Sequence, residues 1–406
     1  MLNFIWGGLI ITAILGSSVG LLFGNCSVND MVTAMFGSAE TSVKIAIGLA
    51  GLLCLWMGIA QITQSSGLIN VLAKILSPLF RIIMPSVPSN HKSLSSITMN
   101  MAANMLGLDN AATPLGIKAM RDLQELNDNK TVASDAQIMF LVINTSAVTL
   151  FPVSIFMYRM QMGSASPTDV FIPLLIATSC STLAGFIVTA FIQKIPLFKL
   201  PVFVLFALFF SFIAAVICWG MWAGSKLTEQ STIIGNFLLL LLIAVIFIWA
   251  MVKRVNVFDS FITGAKEGFK ISIDILPYLV AMLFAIALFR SSGVLELIID
   301  GVKYICSIFS PDVRFVDALP VSIIKPLSGS GARAMMIDVM QTYGADSLQG
   351  HIASVMQGST ETTFYVLAVY FGAVGIVRVR HAVVCGLVAD FTSMVASIIL
   401  GYMFFS

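Results

Sequence analysis

Apolar runs of about twenty residues dominate this chain and leave it few ways to fold. Hydrophobic residues make up 58% of the 406 positions, charged residues only 10%, and the mean hydropathy is +0.98. A run of this length crosses a bilayer as one α-helix. We therefore predict an all-α polytopic membrane protein in contact with membrane lipid. The net charge of +2 and the absence of basic patches argue against nucleic acid as a partner.

The apolar runs define a set of predicted membrane spans. One further run, 68–84, is amphipathic and carries Lys74 and Arg81, so it is predicted to lie in the membrane interface. The predicted spans are 2–24, 43–62, 137–158, 170–192, 202–222, 233–251, 271–288, 352–374 and 382–403.

Two polar stretches interrupt this pattern, at 95–120 and 323–340. Gly107 and Pro114 break the helical pattern of the first, and a Gly/Ser turn marks the second. Polar backbone at membrane depth is tolerated only where protein or a water-filled cavity satisfies it. We predict two broken or re-entrant helices that line a polar site. The alternative is an ordinary interfacial loop capped by Asn and Asp.

The second half of the chain repeats landmarks of the first half in the same order. Gly67 recurs as Gly293, Lys44 as Lys270 and Pro85 as Pro311, each 226 residues later. This pattern predicts a duplication. The first repeat covers 1–195, a connecting transmembrane helix 196–230 and the second repeat 231–406.

The spans and the two polar stretches together give a predicted topology. If neither polar stretch crosses the membrane, the chain crosses about nine times, and the second repeat is inverted relative to the first. Lys and Arg are then more frequent on the cytoplasmic side when the N-terminus is cytoplasmic, as the positive-inside rule requires. If one polar stretch in each half crosses, the count is eleven and the repeats are parallel.

Polar residues inside these membrane segments are the candidate substrate-binding residues. Glu361 stands out because an intramembrane carboxylate marks a functional site or a structural ion pair. Lys325 and Arg333 beside a Gly/Ser turn are typical of an anion-binding helix start. The full predicted set is Asn100, Asn104, Asp109, Asn110, Thr113, Asn144, Thr145, Ser146, Lys325, Ser328, Ser330, Arg333, Gln357, Ser359, Thr360, Glu361 and Thr362.

Three motifs resemble a known family. NMAANMLGLDNAATPLGIKAM in the first half resembles spore maturation protein A, and KPLSGSGARAMMIDVM and QGSTETTFYVLAVYFGAVGI in the second half resemble spore maturation protein B. The chain is similar to a fusion of the two over nearly its whole length. The resemblance implies a nucleoside-recognition or Gate domain in each half, a type of domain also found in concentrative nucleoside transporters and ferrous iron transporter B. It links the chain to the cell envelope and to spore maturation without naming a substrate.

These observations support two hypotheses from different classes. The first is a transporter or translocase of the bacterial inner membrane that moves a polar or anionic solute, an ion or a lipid-linked envelope precursor between the repeats. The second is a non-transporting membrane assembly or scaffold factor, and either could form a homodimer. The sequence shows no catalytic arrangement, metal-ligand set or cofactor motif, so we expect no enzyme, no metal and no cofactor.

The two polar stretches yield the most specific prediction. In an inverted repeat they should approach one another near the bilayer centre from opposite sides. Asn104 and Ser330, at matching positions of the repeats, should then lie on either side of a shared polar centre, with Glu361 within reach.

Overall fold

The computed structural model describes most of the chain as helices. It describes residues 2–22, 27–88, 90–146, 149–195, 226–308 and 310–406, with 207, 211, 213–216, 218–219 and 222–223 between them, and leaves the side chains of 2–5, 18–22 and 109–111 undescribed. No β-strand occurs in these residues, and one isolated β-bridge joins Val132 to Arg378. The predicted span 202–222 falls largely outside the described residues.

The helices carry the labels α1 to α16 in chain order. Those of the first half are α1 Leu2–Leu22, α2 Val28–Ser65, α3 Leu68–Ile83, α4 Lys92–Met105, α5 Asp109–Glu125, α6 Asp135–Thr145, α7 Val153–Gln161 and α8 Phe171–Ile192. Those of the second half are α9 Leu227–Val252, α10 Val257–Ser291, α11 Val294–Ser307, α12 Leu319–Ile324 after a 3-10 turn at Arg314–Ala318, α13 Gly329–Tyr343, α14 Leu348–Gly358, α15 Thr363–Gly372 and α16 Ala382–Phe405.

In the part of the chain that the structure describes, five helices are long and apolar enough to cross a membrane: α2, α8, α9, α10 and α16. This confirms the prediction of an all-α polytopic membrane protein. Helices α2 and α10 have 38 and 35 residues and exceed the predicted spans 43–62 and 271–288. At about 1.5 Å per residue, each is longer than the roughly 30 Å hydrocarbon core, so both extend beyond the apolar run that marked them in the sequence.

Two predicted continuous spans are broken, which corrects the prediction. The span 137–158 consists of α6 and α7, and 352–374 consists of α14 and α15. Pro152, which has no backbone N–H, lies directly before α7, and Ser359–Thr362 separates α14 from α15. Each half-helix has 9 to 11 residues, about half of what a crossing needs.

The polar stretches are also interrupted, with one difference from prediction. Gly107 adopts a left-handed φ of 67° between α4 and α5, where a residue without Cβ meets no steric penalty. Pro114 lies inside α5 and does not end it. In the second stretch the helix stops at Ile324 and begins again at Gly329.

The helices of the two halves follow the same order, α1 to α8 and α9 to α16. Gly67 and Gly293, at the same place in each half, both have left-handed φ, 71° and 75°. Each turns a long helix into a short amphipathic one, α3 or α11. This order supports the predicted duplication.

Corresponding helices pack antiparallel. On α10, a Cβ added at Gly268 would lie 2.4 Å from the Leu53 carbonyl oxygen, and one at Gly264 would lie 2.2 Å from that of Met57, so α10 runs opposite to α2. Helix α8 likewise runs opposite to α16, since the Ser181 hydroxyl donates to the Ala389 carbonyl and Gly185 faces the Cys385 carbonyl. Opposite directions of equivalent helices support the predicted inverted relation.

Candidate functional site

One cavity of about 400 Å³ lies between the broken helices of both halves. Its lining includes Gly107 and Thr113 from the first polar stretch and Gly329 and Arg333 from the second. The remaining predicted site residues that line it are Asn104, Asn144, Lys325, Gln357, Thr360, Glu361 and Thr362. The structure therefore brings residues of both polar stretches to one site.

The first half presents neutral amides to the cavity. The Asn104 amide donates to Asn144 Oδ1 at 3.0 Å, and the Asn144 amide donates to the Phe140 carbonyl at 2.9 Å. The Tyr370 hydroxyl reaches the same Asn144 oxygen at 3.4 Å. Asn144 lies in the last turn of α6, which ends at Thr145. This network of side chains therefore lies at the end of α6 that borders the cavity.

Three charged residues occur among the described residues of the lining, and all belong to the second half: Lys325, Arg333 and Glu361. Lys325 is buried, and its ammonium donates to the Gln357 carbonyl at 2.7 Å. The Arg333 guanidinium lies over the Tyr158 ring at 5.4 Å from the centroid, a cation–π contact. Glu361 is exposed, whereas its neighbours Thr360 and Thr362 are buried. The described residues of the lining thus carry a formal net charge of one positive unit.

The start of α13 adds a partial positive charge to the same wall. Ser328 caps this 15-residue helix by accepting a hydrogen bond from the Gly331 N–H at 3.0 Å. Gly329, the first helical residue, lines the cavity. A Cβ at Gly329 would lie 2.6 Å from the Thr362 hydroxyl oxygen, so only glycine lets the helix start approach the α14–α15 break this closely.

Backbone hydrogen bonds tie the breaks together. In the first half the Leu150 N–H donates to the Met105 carbonyl at 2.9 Å, and in the second half the Phe364 N–H donates to the Pro326 carbonyl at 3.0 Å. Between the halves, the Glu361 N–H donates to the Thr145 carbonyl at 2.7 Å. These three backbone N–H groups at the breaks are thereby satisfied inside the protein, as membrane depth requires.

Several predicted site residues lie outside the cavity lining. The Asn100 amide donates to the Ala112 carbonyl at 2.7 Å within the first polar stretch. Ser146 bonds to the preceding turn of α6, and its carbonyl accepts hydroxyls from α8. Ser330 borders a smaller cavity that it shares with Arg333. Thr145, Ser328 and Ser359 are also outside the lining, and the side chains of Asp109 and Asn110 are outside the described part of the chain.

Aromatic residues of the lining were not predicted from the sequence. Trp56, Phe151, Tyr158, Tyr365 and Tyr370 all face the cavity. Each occurs within or beside an apolar run, where an aromatic side chain that faces a cavity has the same sequence pattern as one that faces lipid.

A second polar cluster, also missed, surrounds the fully buried Arg159 on α7. Its Nη2 atom lies 2.9 Å from Asp169 Oδ1 and 3.0 Å from Asp346 Oδ1. It also lies 3.1 Å from His351 Nε2. Asp169, Asp346 and His351 are close enough together to ligate a metal, but the guanidinium contacts all three and supplies the positive charge. The cluster joins α7 of the first half to the start of α14 in the second.

Asp346, in the loop before α14, gives this cluster a pH dependence. Partial burial acts to raise the pKa of its carboxyl, but hydrogen bonds from Ser164 and the Ala165 N–H, together with the Arg159 charge, hold the pKa below its ordinary value. A lowered pKa adds stability above the ordinary value of about 3.9, and that stability is lost as the pH falls through the folded-state pKa.

We therefore expect Asp346→Asn to melt below wild type at neutral pH and the gap to narrow below about pH 4. Melting temperatures over a pH series measure this. A gap that does not change with pH would show that the Asp346 charge contributes nothing.

The fold and the cavity define a class: polytopic helical membrane proteins whose two halves line one polar site with broken helices. The Gate family, described as nucleoside recognition, matches residues 46–162 and 272–377 of the chain. These matches cover more than half of the sequence, and the chain belongs to this family. They begin 226 residues apart, the spacing of the repeated landmarks.

Two relatives from Bacillus subtilis (strain 168) agree with the motifs. The chain is 48% identical to spore maturation protein B over 160 residues, which are 39% of this chain and 88% of that protein. It is 36% identical to spore maturation protein A over 190 residues, which are 46% of this chain and 93% of that protein. The chain therefore combines similarity to both proteins, as its motifs predict.

Proposed function

We propose that this protein is a transporter or translocase of the bacterial inner membrane, with a cytoplasmic N-terminus, that moves a small anionic solute through the cavity between two inverted repeats. The observation that carries the proposal is that broken helices of both halves line the same cavity. Binding sites of secondary transporters are formed by discontinuous helices at a repeat interface.

The charges of the lining favour an anion. Lys325, Arg333 and the start of α13 are positive, and Glu361 is the negative group that opposes them. A helix start and a guanidinium are the groups that proteins use for carboxylates and phosphates. The amides of Asn104 and Asn144 on the opposite wall suit the neutral polar part of such a solute.

The size of the cavity favours a small solute. About 400 Å³ is at the lower end of the range for small-molecule sites. A lipid-linked envelope precursor remains within the proposal only if its polar headgroup alone enters the cavity and its lipid stays in the membrane.

The test measures the melting temperature of the purified protein with phosphate, succinate and glutamate, each as the N-methylglucamine salt. We expect at least one to stabilise wild type, by about 2.7 kcal/mol at a concentration one hundred times its Kd. Arg333→Gln removes a charged hydrogen-bond donor worth about 1.5–3 kcal/mol, so it should weaken binding roughly 10- to 100-fold. The same anion should be taken up by proteoliposomes.

Arg314→Gln is the matched control, because Arg314 is a surface arginine paired with Asp312. It should bind the anion as wild type does. The assembly-factor hypothesis predicts a different outcome: no anion stabilises wild type, no flux is measured, and Glu361→Gln and Asn104→Ala dissociate a complex in detergent.

A further inference from the structure

Asp390 is a buried carboxylate that the cavity does not use. It lies on α16 with 8% of its surface exposed. Its Oδ2 accepts a hydrogen bond from the Thr363 hydroxyl at 2.6 Å. Its Oδ1 is buried and lacks a hydrogen bond of ordinary geometry among the described residues, although the Thr360 hydroxyl also acts on this carboxyl. A carboxylate buried in this way is strongly disfavoured unless it is neutralised by a proton or a cation.

A second buried oxygen without a hydrogen-bond partner among the described residues belongs to Thr145, which packs near Gly386 on α16. Gly386 lies one helical turn before Asp390 on the same face of α16. A Cβ at Gly386 would lie 2.7 Å from Thr363 Cγ2 and 3.7 Å from Thr145 Cγ2. The Thr145 hydroxyl oxygen is buried and, within the described part of the chain, has no hydrogen-bond partner. The methyl groups of Thr363 and Thr145 therefore both face Gly386, one turn before Asp390, and the Thr363 hydroxyl bonds to the Asp390 carboxylate.

Both threonines stand at helix breaks. Thr145 is the last residue of α6, and Thr363 is the first residue of α15. One turn further along α16, the Ser393 hydroxyl hydrogen-bonds to that of Ser359 in the α14–α15 break. The side-chain groups gathered here are one carboxylate and several hydroxyls, all with oxygen donors.

Few other charged groups of the described residues lie near the Asp390 carboxylate. The titratable groups on elements packed against α16 include Cys180 on α8, Asp135 on α6, His351 on α14, Lys325 after α12, Glu361 before α15 and Glu229 on α9. Asp135 pairs with Arg380, before α16 begins, and His351 stacks on Phe405 at its last turn. Glu229 follows Thr228, which hydrogen-bonds to Phe404 at the same end. Lys325 is the charge that acts on Asp390.

We propose that Asp390, Thr363 and Thr145 form a binding site for a monovalent cation, H⁺ or Na⁺, separate from the solute cavity. Oxygen ligands at the ends of half-helices are those that transporters use for coupling ions. A single carboxylate balances one positive charge, whereas Ca²⁺ takes six to eight oxygen ligands and usually several carboxylates. The role as coupling site rests on the proposed transport function.

Lys325 connects the two sites. It lines the cavity and acts electrostatically on Asp390. An anion bound in the cavity offsets the positive charge of Lys325, which otherwise competes with a cation for the Asp390 carboxylate. Each ligand then favours binding of the other, and by linkage the effect is reciprocal.

The experiment compares wild type with Asp390→Asn, an isosteric variant that carries no charge. Melting temperatures are measured in NaCl, KCl and N-methylglucamine chloride at equal ionic strength, from about pH 5 to about pH 9. For a sodium site, Na⁺ raises the melting temperature of wild type in a saturable way and leaves Asp390→Asn unchanged. For a proton site, Na⁺ has no effect, and wild type alone loses stability as the pH rises, because the site then loses its bound proton.

Two more variants make the outcome specific. Thr145→Val keeps the shape and removes the oxygen, so it should weaken the sodium response about tenfold, the ratio that loss of about one hydrogen-bonding ligand produces. Asp300→Asn, at an exposed carboxylate on α11, should respond as wild type does.

Equal responses of wild type and Asp390→Asn to Na⁺ and to pH overturn the inference. Anion binding in the cavity that does not depend on either cation overturns the coupling role of the site, while leaving the proposed transport function in place. A cation response at Asp390 with no anion binding supports the cation site and counts against transport.

Discussion

Replacing Arg159 by methionine is expected to lower the free energy of unfolding by about 3–5 kcal/mol, the cost of removing one partner of a buried ion pair. The guanidinium is fully buried against Asp169, which is itself buried. Methionine fills a similar volume but leaves that carboxylate without its counter-charge. Thermal unfolding in detergent, together with the yield of folded protein, measures the effect.

Arg314→Met is the matched control for this prediction. Arg314 pairs with Asp312, but its side chain is 53% exposed, and exposed pairs contribute about 0–1 kcal/mol. Adding Asp169→Asn to Arg159→Met should restore part of the loss, because the stranded charge is then gone. An Arg159→Met protein as stable as the control variant would contradict the structural role of the cluster.

Replacing Gly268 by alanine should destabilise the contact between α2 and α10, by about 1–3 kcal/mol. The added Cβ would lie 2.4 Å from the Leu53 carbonyl oxygen, and that neighbour is helix backbone, which cannot move without shifting α2. Gly264→Ala meets Met57 in the same way. Melting temperatures of the single and double variants measure the effect.

Gly301→Ala separates this steric effect from helix propensity. Gly301 lies in α11 with no neighbouring atom within 4 Å of a Cβ. Alanine is favoured over glycine in a helix by about 1 kcal/mol, so this variant should be neutral or slightly more stable. If Gly268→Ala is as stable as Gly301→Ala, then α2 and α10 do not approach as closely as described.

Features with a local signal were predicted well from the sequence. Apolar runs indicated the membrane class, and Gly67 and Gly293 marked equivalent turns because a left-handed φ favours glycine. The breaks in the two polar stretches were expected from Gly107 and from the Gly/Ser turn at the start of α13, and of these glycines Gly107 has a left-handed φ. Lys325, Arg333 and Glu361 were predicted as binding residues because charged residues are rare in apolar membrane segments. All three line the cavity.

Features that depend on contacts distant in sequence were missed. Arg159 and Asp346 belong to different halves and form no motif. The breaks in 137–158 and 352–374 were read as continuous helix because their Ser and Thr residues can bond to the preceding helical turn and so fit a membrane helix. Only the packing of both halves shows that the chain unwinds there.

The charged residues that the structure describes in the cavity all lie on one half, and this placement has an electrical consequence. Lys325, Arg333 and Glu361 together carry one net positive charge on the second half, whereas the first half faces them with amides. Moving one elementary charge through the full membrane potential changes the free energy by about 2.3 kcal/mol per 100 mV. If transport moves one half relative to the other, the membrane potential biases which side the empty cavity faces. Each reorientation would then give a transient charge movement, whereas a full cycle with a neutral solute returns the same protein charge and carries no net current.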